Sequence, residues 1–486
     1  MKKIFLGLIL ILLITLAIVV WRGLNFVQPP LPVPAAVDVS WDEASAVENL
    51  TGALKIATVS VSIDVPPNAQ AFAEFHRYLA SRYPLVFTQL DIELVAEHSL
   101  LIRWQGENNA QTPIMFLAHQ DVVPVTLGSE ASWAYPPFAA QVADGFIWGR
   151  GALDDKASLI ALLESAERLL GEGFSPERTI YFGFGHDEEI GGLGAQAMAA
   201  LLAQRNVRLG FLLDEGGFVT KGLIPGVEGR VALIGPAEKG YTSLRLTAVG
   251  KGGHASMPPK HTALGRVARA ISRLEKHPFP ADLTYTRDTL KALGEKAPFI
   301  QRLIFANLWL FEKLAVSVMS DNPATNAGIR TTTAATMMSA GVKDNVLPQT
   351  AEAVVNFRIL PGDTVDSVVD FVNAIIDDDQ VKVSLYSEFS NDPSNVSPIE
   401  GAGYSVLSEV ITQIRPDTVV APRLVVGATD ARHYESIADA SYRFLALEVG
   451  PDELAGMHGT NERVSVASFM DSMKMYYLLM QRAAEL

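Results

Sequence analysis

The 486-residue chain contains no cysteine. Disulfides, thiolate nucleophiles and cysteine-ligated zinc are therefore excluded, while the compartment is left open. Cations are under-represented: 39 Lys and Arg stand against 54 Asp and Glu, a net charge of −15 and a pI near 5.1. That balance argues against non-specific nucleic-acid binding and favours solubility. Internal repeats and low-complexity segments are also missing. Apolar residues make up 49% and charged residues 19%, the balance of a globular chain, and the length suits two or three domains.

Long uncharged apolar runs are confined to one place. Met1-Lys2-Lys3 leads into Ile4 to Trp21, about the length that spans a bilayer, and Arg22 follows. The run exceeds a usual signal-peptide core and lacks a clear small-x-small cleavage site, which favours an uncleaved anchor over a cleaved signal. A buried globular helix is the third reading. Lys2 and Lys3 keep the N-terminus cytoplasmic, so an anchored body faces the outer, periplasmic or extracytoplasmic side; a cleaved signal gives a secreted protein. A Pro-rich stretch, 27–34, reads as a stiff linker.

From about Val39 apolar runs alternate with helical patterns, which predicts a largely parallel α/β sheet covered on both faces. Strands are expected at 92–95, 99–104, 112–118, 146–148, 180–184 and 209–213, and helices at 42–50, 68–81, 157–170 and 193–203. Near Lys239 the pattern shifts to alternating strands. The β-α-β-β-α-β order over 242–386 suggests a small antiparallel α+β domain inserted in the larger one. A mostly helical stretch, 282–320, carries Phe299, Phe305, Trp309 and Phe311; these read as lid core or dimer contact, or as a place for a greasy acyl chain. The larger domain resumes with 404–414, a strand near 424–426 and another at 444–449. The expected division is 1–36 anchor and linker, 37–238 and 393–486 catalytic, and 239–392 inserted.

Several apolar runs exit into an acid or a histidine: His119 and Asp121, Glu188 and Glu189, and Asp214, with Asp154 at a loop-to-helix junction. In such folds sites form beyond the carboxyl ends of strands. The sharpest case is Asp187-Glu188-Glu189, three acids in succession after a buried strand. Their mutual repulsion calls for a cation or a proton. With His458 downstream, two histidines and three carboxylates make a plausible dinuclear zinc site. Cobalt and manganese accept the same ligands. Read singly, His119 is an ordinary strand-end histidine, His254 a turn residue, Asn345 a turn cap and Arg432 a local partner of Asp430. His186, His261 and His433 read as ordinary.

Taken together, His119-x-Asp121, Gly149-Arg150-Gly151-Ala152-x-Asp154-Asp155-Lys156, Asp187-Glu188-Glu189-x-Gly191-Gly192, Asp214-Glu215-Gly216 and His458-Gly459 resemble the M20 metallopeptidases. Within them the likeness is to the branch of carboxypeptidase S and the N-acyl-amino-acid hydrolases, and it runs from about residue 40 to the end. The resemblance implies a zinc-peptidase catalytic domain with a ferredoxin-like lid and dimerisation domain. It implies one zinc on His119, Asp154 and Asp214 and another on Asp154, Glu189 and His458, with a cis peptide after Asp154. Asp121 would orient His119, and Glu188 would be the general base. His254 would reach a partner subunit's site and steady the oxyanion, while Asn345 and Arg432 would grip a substrate carboxylate. The implied reaction is cleavage of an N-acyl amino acid or of a peptide's C-terminal residue, with reversal open. The alternatives are an aminopeptidase on the same metals and a non-catalytic binding protein on the same fold.

Overall fold

The computed structural model describes residues 2–27, 39–224, 226–387 and 389–486. The Pro-rich linker expected after Val27 therefore lies almost wholly outside the described residues. An eight-stranded sheet forms the larger body. Its order is Asp91–Val95, Ser99–Trp104, Ile180–Gly185, Ile114–His119, Phe211–Lys221, Arg230–Ile234 and Val419–Pro422, with Ser441–Val449 also paired to Phe211–Lys221. The centre is parallel: Ile114–His119 runs parallel to both neighbours, and Ser441–Val449 runs parallel to Phe211–Lys221. The first two strands pair antiparallel, as do Phe211–Lys221 and Arg230–Ile234. The largely parallel sheet expected from the pattern is thus a mixed one.

Both faces are covered, and the strands show why they read as unbroken apolar runs. Successive side chains of a strand point to opposite faces. Ile114, Phe116, Ala118, Ile180, Phe182 and Phe184 pack with the helices Lys156–Gly171 and Val466–Glu485. Met115, Leu117 and Tyr181 pack on the other face against Leu193–Gln204. Gly183 keeps that second face close-packed, since a Cβ there would sit 2.4 Å from Met115 Cε.

The second core belongs to a four-stranded antiparallel sheet in the order Thr332–Ala340, Thr350–Ile359, Gly240–Val249 and Val381–Leu385. Helices Ala263–Lys276 and Val365–Ile376 back it. Thr364 and Ser367 close the second helix's start with a reciprocal capping box. The β-α-β-β-α-β order expected here is present.

Three expectations are corrected. The helical stretch does not join the core of this smaller sheet. Leu283, Leu290, Leu293, Phe305 and Ala315 pack instead with Val231, Leu233 and Ala421 at the edge of the large sheet, and with Phe26. The strand expected near 424–426 falls at Val419–Pro422, where two β-branched residues lie in parallel register with Val231 and Ala232; Val425 makes an isolated bridge only. The strand expected to stop at Leu213 continues through the acids to Lys221.

Candidate metal centre

His119 ends the central strand and lies in register with Gly185 of its parallel neighbour. Both chains therefore leave the sheet together, and the acids after Gly185 emerge beside the histidine. Asp121 ties the two exits. Its carboxylate oxygens accept the backbone N–H groups of Glu188 at 3.2 Å and Glu189 at 3.3 Å. Its main-chain oxygen lies 3.0 Å and its Oδ1 3.3 Å from His119 Nδ1. The imidazole is thereby oriented with Nε2 free to face the site, the arrangement a ligating histidine needs.

That Nε2 lies 2.9 Å from Asp154 Oδ1. The other oxygen of Asp154 lies 3.0 Å from His458 Nε2, which is in turn 3.1 Å from Glu189 Oε2. Glu215 Oε1 stands 3.7 Å from His119 Nε2. Ligand atoms of His119, Asp154 and Glu189 lie within 4.8 Å of one another, and so do those of His119, Asp155 and Glu215. Asp154 is thus the shared member, with one histidine on each oxygen. The Asp154–Asp155 peptide is cis.

The charges explain what the cluster needs. Burial opposes a charged His119, but Asp121 and Asp154 outweigh it and hold the ring well above its ordinary value. Asp154 and Glu189 hold His458 up at about 10, although burial opposes them. Burial also pushes Glu189, Glu215 and Glu188 upward, and it carries Asp155 to about 8. Glu189 Oε1 and both carboxylate oxygens of Asp155 are buried without a hydrogen-bond partner. Buried acids left without donors are costly, and a cation among them removes that cost. Oxygen and imidazole donors at these separations fit a divalent metal.

One expected ligand lies outside these groups of donor atoms. Asp214 does not join the cluster, because its oxygens accept backbone N–H groups from Glu215 at 2.9 Å and Ala431 at 2.6 Å. The strand runs on past it, so Asp214 and Glu215 point to opposite faces, and Glu215 is the one beside His119.

Glu188 is half-buried and makes no side-chain hydrogen bond among the described residues. His119, Asp430, Glu189 and Arg432 all lie within its electrostatic reach. The Arg432 guanidinium donates to the carbonyls of Thr429 and Gly191, each at 3.1 Å, and stacks over Phe389. Arg358, not singled out from the sequence, lies over Tyr241 and within electrostatic reach of Arg432. His254 and Asn345 meet at an exposed corner of the smaller domain. Ala255 N–H donates to the Asn345 carbonyl at 3.1 Å, and Ser256 holds His254 Nδ1. Among the described residues neither is hydrogen-bonded to the metal cluster.

Other residues emerge only in three dimensions. Buried Glu462 accepts from Arg150 at 2.5 Å and from the backbone N–H groups of Leu153 and Asp154. Arg150 also donates to the carbonyl of Gly459, next to His458. This pair locks the loop that carries Asp154 to the loop that carries His458. Asp187 accepts the N–H groups of Leu193 and Gly194 at the start of a helix. The first of the three consecutive acids thus anchors the start of that helix.

An α/β body whose strand ends gather two histidines and several carboxylates has the donor set that a metal-dependent hydrolase requires. The profile of peptidase family M20/M25/M40 matches residues 115–482. The chain is 40% identical over 443 residues to the N-fatty-acyl-amino acid synthase/hydrolase PM20D1 of Homo sapiens, covering 90% of this chain and 87% of the relative. It is 31% identical to carboxypeptidase S of Saccharomyces cerevisiae, covering 89% and 83%. Among solved structures it is similar to the M20 family metallo-carboxypeptidase Sso-CP2 of Sulfolobus solfataricus, with a TM-score of 0.64 at 16% identity over 91% of this chain and 99% of that one. The chain belongs to peptidase family M20, a family of metal-dependent hydrolases acting on amino-acid or peptide-like substrates.

Proposed function

We propose that the protein is a two-zinc amidohydrolase that cleaves N-acyl amino acids, or the C-terminal residue of short peptides, at the amide next to a free carboxylate. The observation that carries this reading is the position of Asp154, one oxygen facing His119 and the other His458, with Glu215 and Glu189 completing the two ends. His119, Asp154 and Glu215 would hold one ion, and Asp154, Glu189 and His458 would hold the other. When bound, the ions acidify water and polarise the scissile carbonyl.

The chain's own residues do the rest. Glu188 takes a proton from the attacking water and returns it to the departing nitrogen, so the amide yields a carboxylic acid and an amine. Arg432 holds the substrate carboxylate through a planar fork of donors, supported by Asn345. His254 of a partner subunit donates to the oxyanion, which makes the smaller domain a lid and a dimer contact. The division at 239 and 392 follows from that role. The helix Lys2–Leu24 anchors the body on the outer side of a membrane.

The N-acyl preference draws on the likeness to the synthase/hydrolase relatives. A hydrolysis screen tests it, using full-length, zinc-loaded protein in detergent. N-acyl amino acids should be cleaved and their amides spared. Cleavage restricted to peptides with a free amine would reject the reading in favour of an aminopeptidase.

A further inference from the structure

The helix Lys2–Leu24 is apolar and exposed along most of its length, but its last turns touch the body. The Asn307 side chain donates a buried hydrogen bond to the Val19 carbonyl at 3.0 Å. At Gly23 a Cβ would come 3.1 Å from Leu303 Cα, so the two backbones approach closely there. Phe26 then enters the core shared with Leu290, Leu293 and Phe305. The helix Phe299–Ala306 and the start of Leu308–Ser320 therefore lie beside the C-terminal turns of the span.

The second of these helices is apolar on both sides. Ala315 is buried, and Leu308, Val316 and Met319 lean into the body. Leu310, Leu314 and Val318, at four-residue spacing on another face, are 50%, 50% and 61% exposed. Trp309 and Ile300 stand out beside them. Glu312, Lys313 and Ser317 are exposed on the same helix, so its solvent side carries an apolar stripe beside polar positions, and a contiguous exposed apolar stripe marks a contact surface. Trp309 donates to the Asn307 side chain that reaches Val19, which sets it near the end of the span that carries Trp21 and Arg22, and tryptophan and arginine collect at the boundary between lipid and water.

We propose that the face formed by Ile300, Trp309, Leu310, Leu314 and Val318 lies in the outer leaflet of the bilayer, continuous with the span. The body then rests on the membrane rather than swinging from a tether. Its lipid contact comes from the helical excursion that interrupts the smaller domain. This inference rests on the anchor reading proposed above, and the test separates the two.

The chain's lack of cysteine allows one environment-sensitive fluorophore to be placed at will. Full-length Leu314→Cys, Val318→Cys, Leu12→Cys and Leu127→Cys are labelled singly and reconstituted into phosphatidylcholine vesicles with or without doxyl-labelled phosphatidylcholine. Leu127 lies on an exposed loop of the catalytic body. The expected result is blue-shifted emission, quenched by doxyl lipid, at 314 and 318, with Leu127→Cys unaffected. Quenching at 12 without quenching at 314 and 318 overturns the proposal and leaves the anchor standing. Quenching at 314 and 318 without quenching at 12 overturns the proposal together with the anchor, because the face would then meet lipid without a span to continue. A blue shift at 314 and 318 that doxyl lipid leaves unquenched overturns it in favour of a second copy covering the face.

Discussion

Whether Asp214 or Glu215 is a ligand turns on a single step along a strand, and the step reverses which face each side chain meets. If the proposed pair of ions is right, the Glu215→Ala variant should lose about half of the bound metal and nearly all activity. Asp214→Ala should instead keep metal binding sites but lose roughly 2 kcal/mol of stability, because its two backbone partners are left unpaired. Metal analysis beside urea unfolding distinguishes them, and equal metal loss in both would contradict the assignment. The sequence carried the acids to the right strand. The family resemblance named Asp214, and nothing local ranks Glu215 above it, because the facing of the two depends on the strand running on to Lys221 rather than stopping at the acids. His433 supplies a pH test. Burial, with Arg432 beside it, depresses its ring to about 4. An unfolded histidine titrates near 6.5, so the unfolded chain binds the proton first. Stability from this group is complete above the unfolded value and falls as pH drops from about 6.5 to about 4. Wild type should therefore lose more stability than His433→Gln over that window, read as the shift in urea midpoint; parallel losses would refute the account.

Elements bring the ligands together through two loops. Arg463–Ser465 pairs with Phe146–Trp148, so the segment carrying His458 runs back beside the segment leading to Asp154. Glu462 and Arg150 clamp that meeting from within. Removing one member of a buried pair strands the other, at a cost of about 3–5 kcal/mol. Glu462→Ala should accordingly fall by that amount in unfolding free energy and bind metal more weakly, although the residue touches no substrate. A folded, wild-type-like Glu462→Ala would show that the two loops need no clamp. The pairing was half visible beforehand: both glycine-rich motifs stood out, but nothing local to Glu462 points to Arg150, 312 positions away. Helices and strands with strong periodicity fell close to where the pattern put them, such as 193–203 against the observed Leu193–Gln204. The strand at Val419–Pro422 did not, because its length is set by the parallel neighbour it completes.

The whole molecule joins two cores and one apolar helix, and its main surprise is where the excursion 284–327 packs. Read by position it belongs to the inserted domain; by contact it closes the edge of the large sheet and meets the N-terminal helix. No periodicity distinguishes those destinations, since an apolar helical face looks alike whichever core receives it. The candidate metal cluster is the reverse case. Its residues come from the ends of several strands and from loops hundreds of positions apart; His119 and Glu189 were visible after apolar runs and Asp154 at a loop-to-helix junction, whereas His458 and Glu215 carried no such local signal. The central claim is that these residues hold metal while Glu188 carries the proton. Metal content and turnover measured on one preparation of Glu188→Gln test it most directly. Two ions per chain with hydrolysis reduced about 10²–10⁴-fold is the predicted result. Hydrolysis at the wild-type rate by that variant would contradict the account.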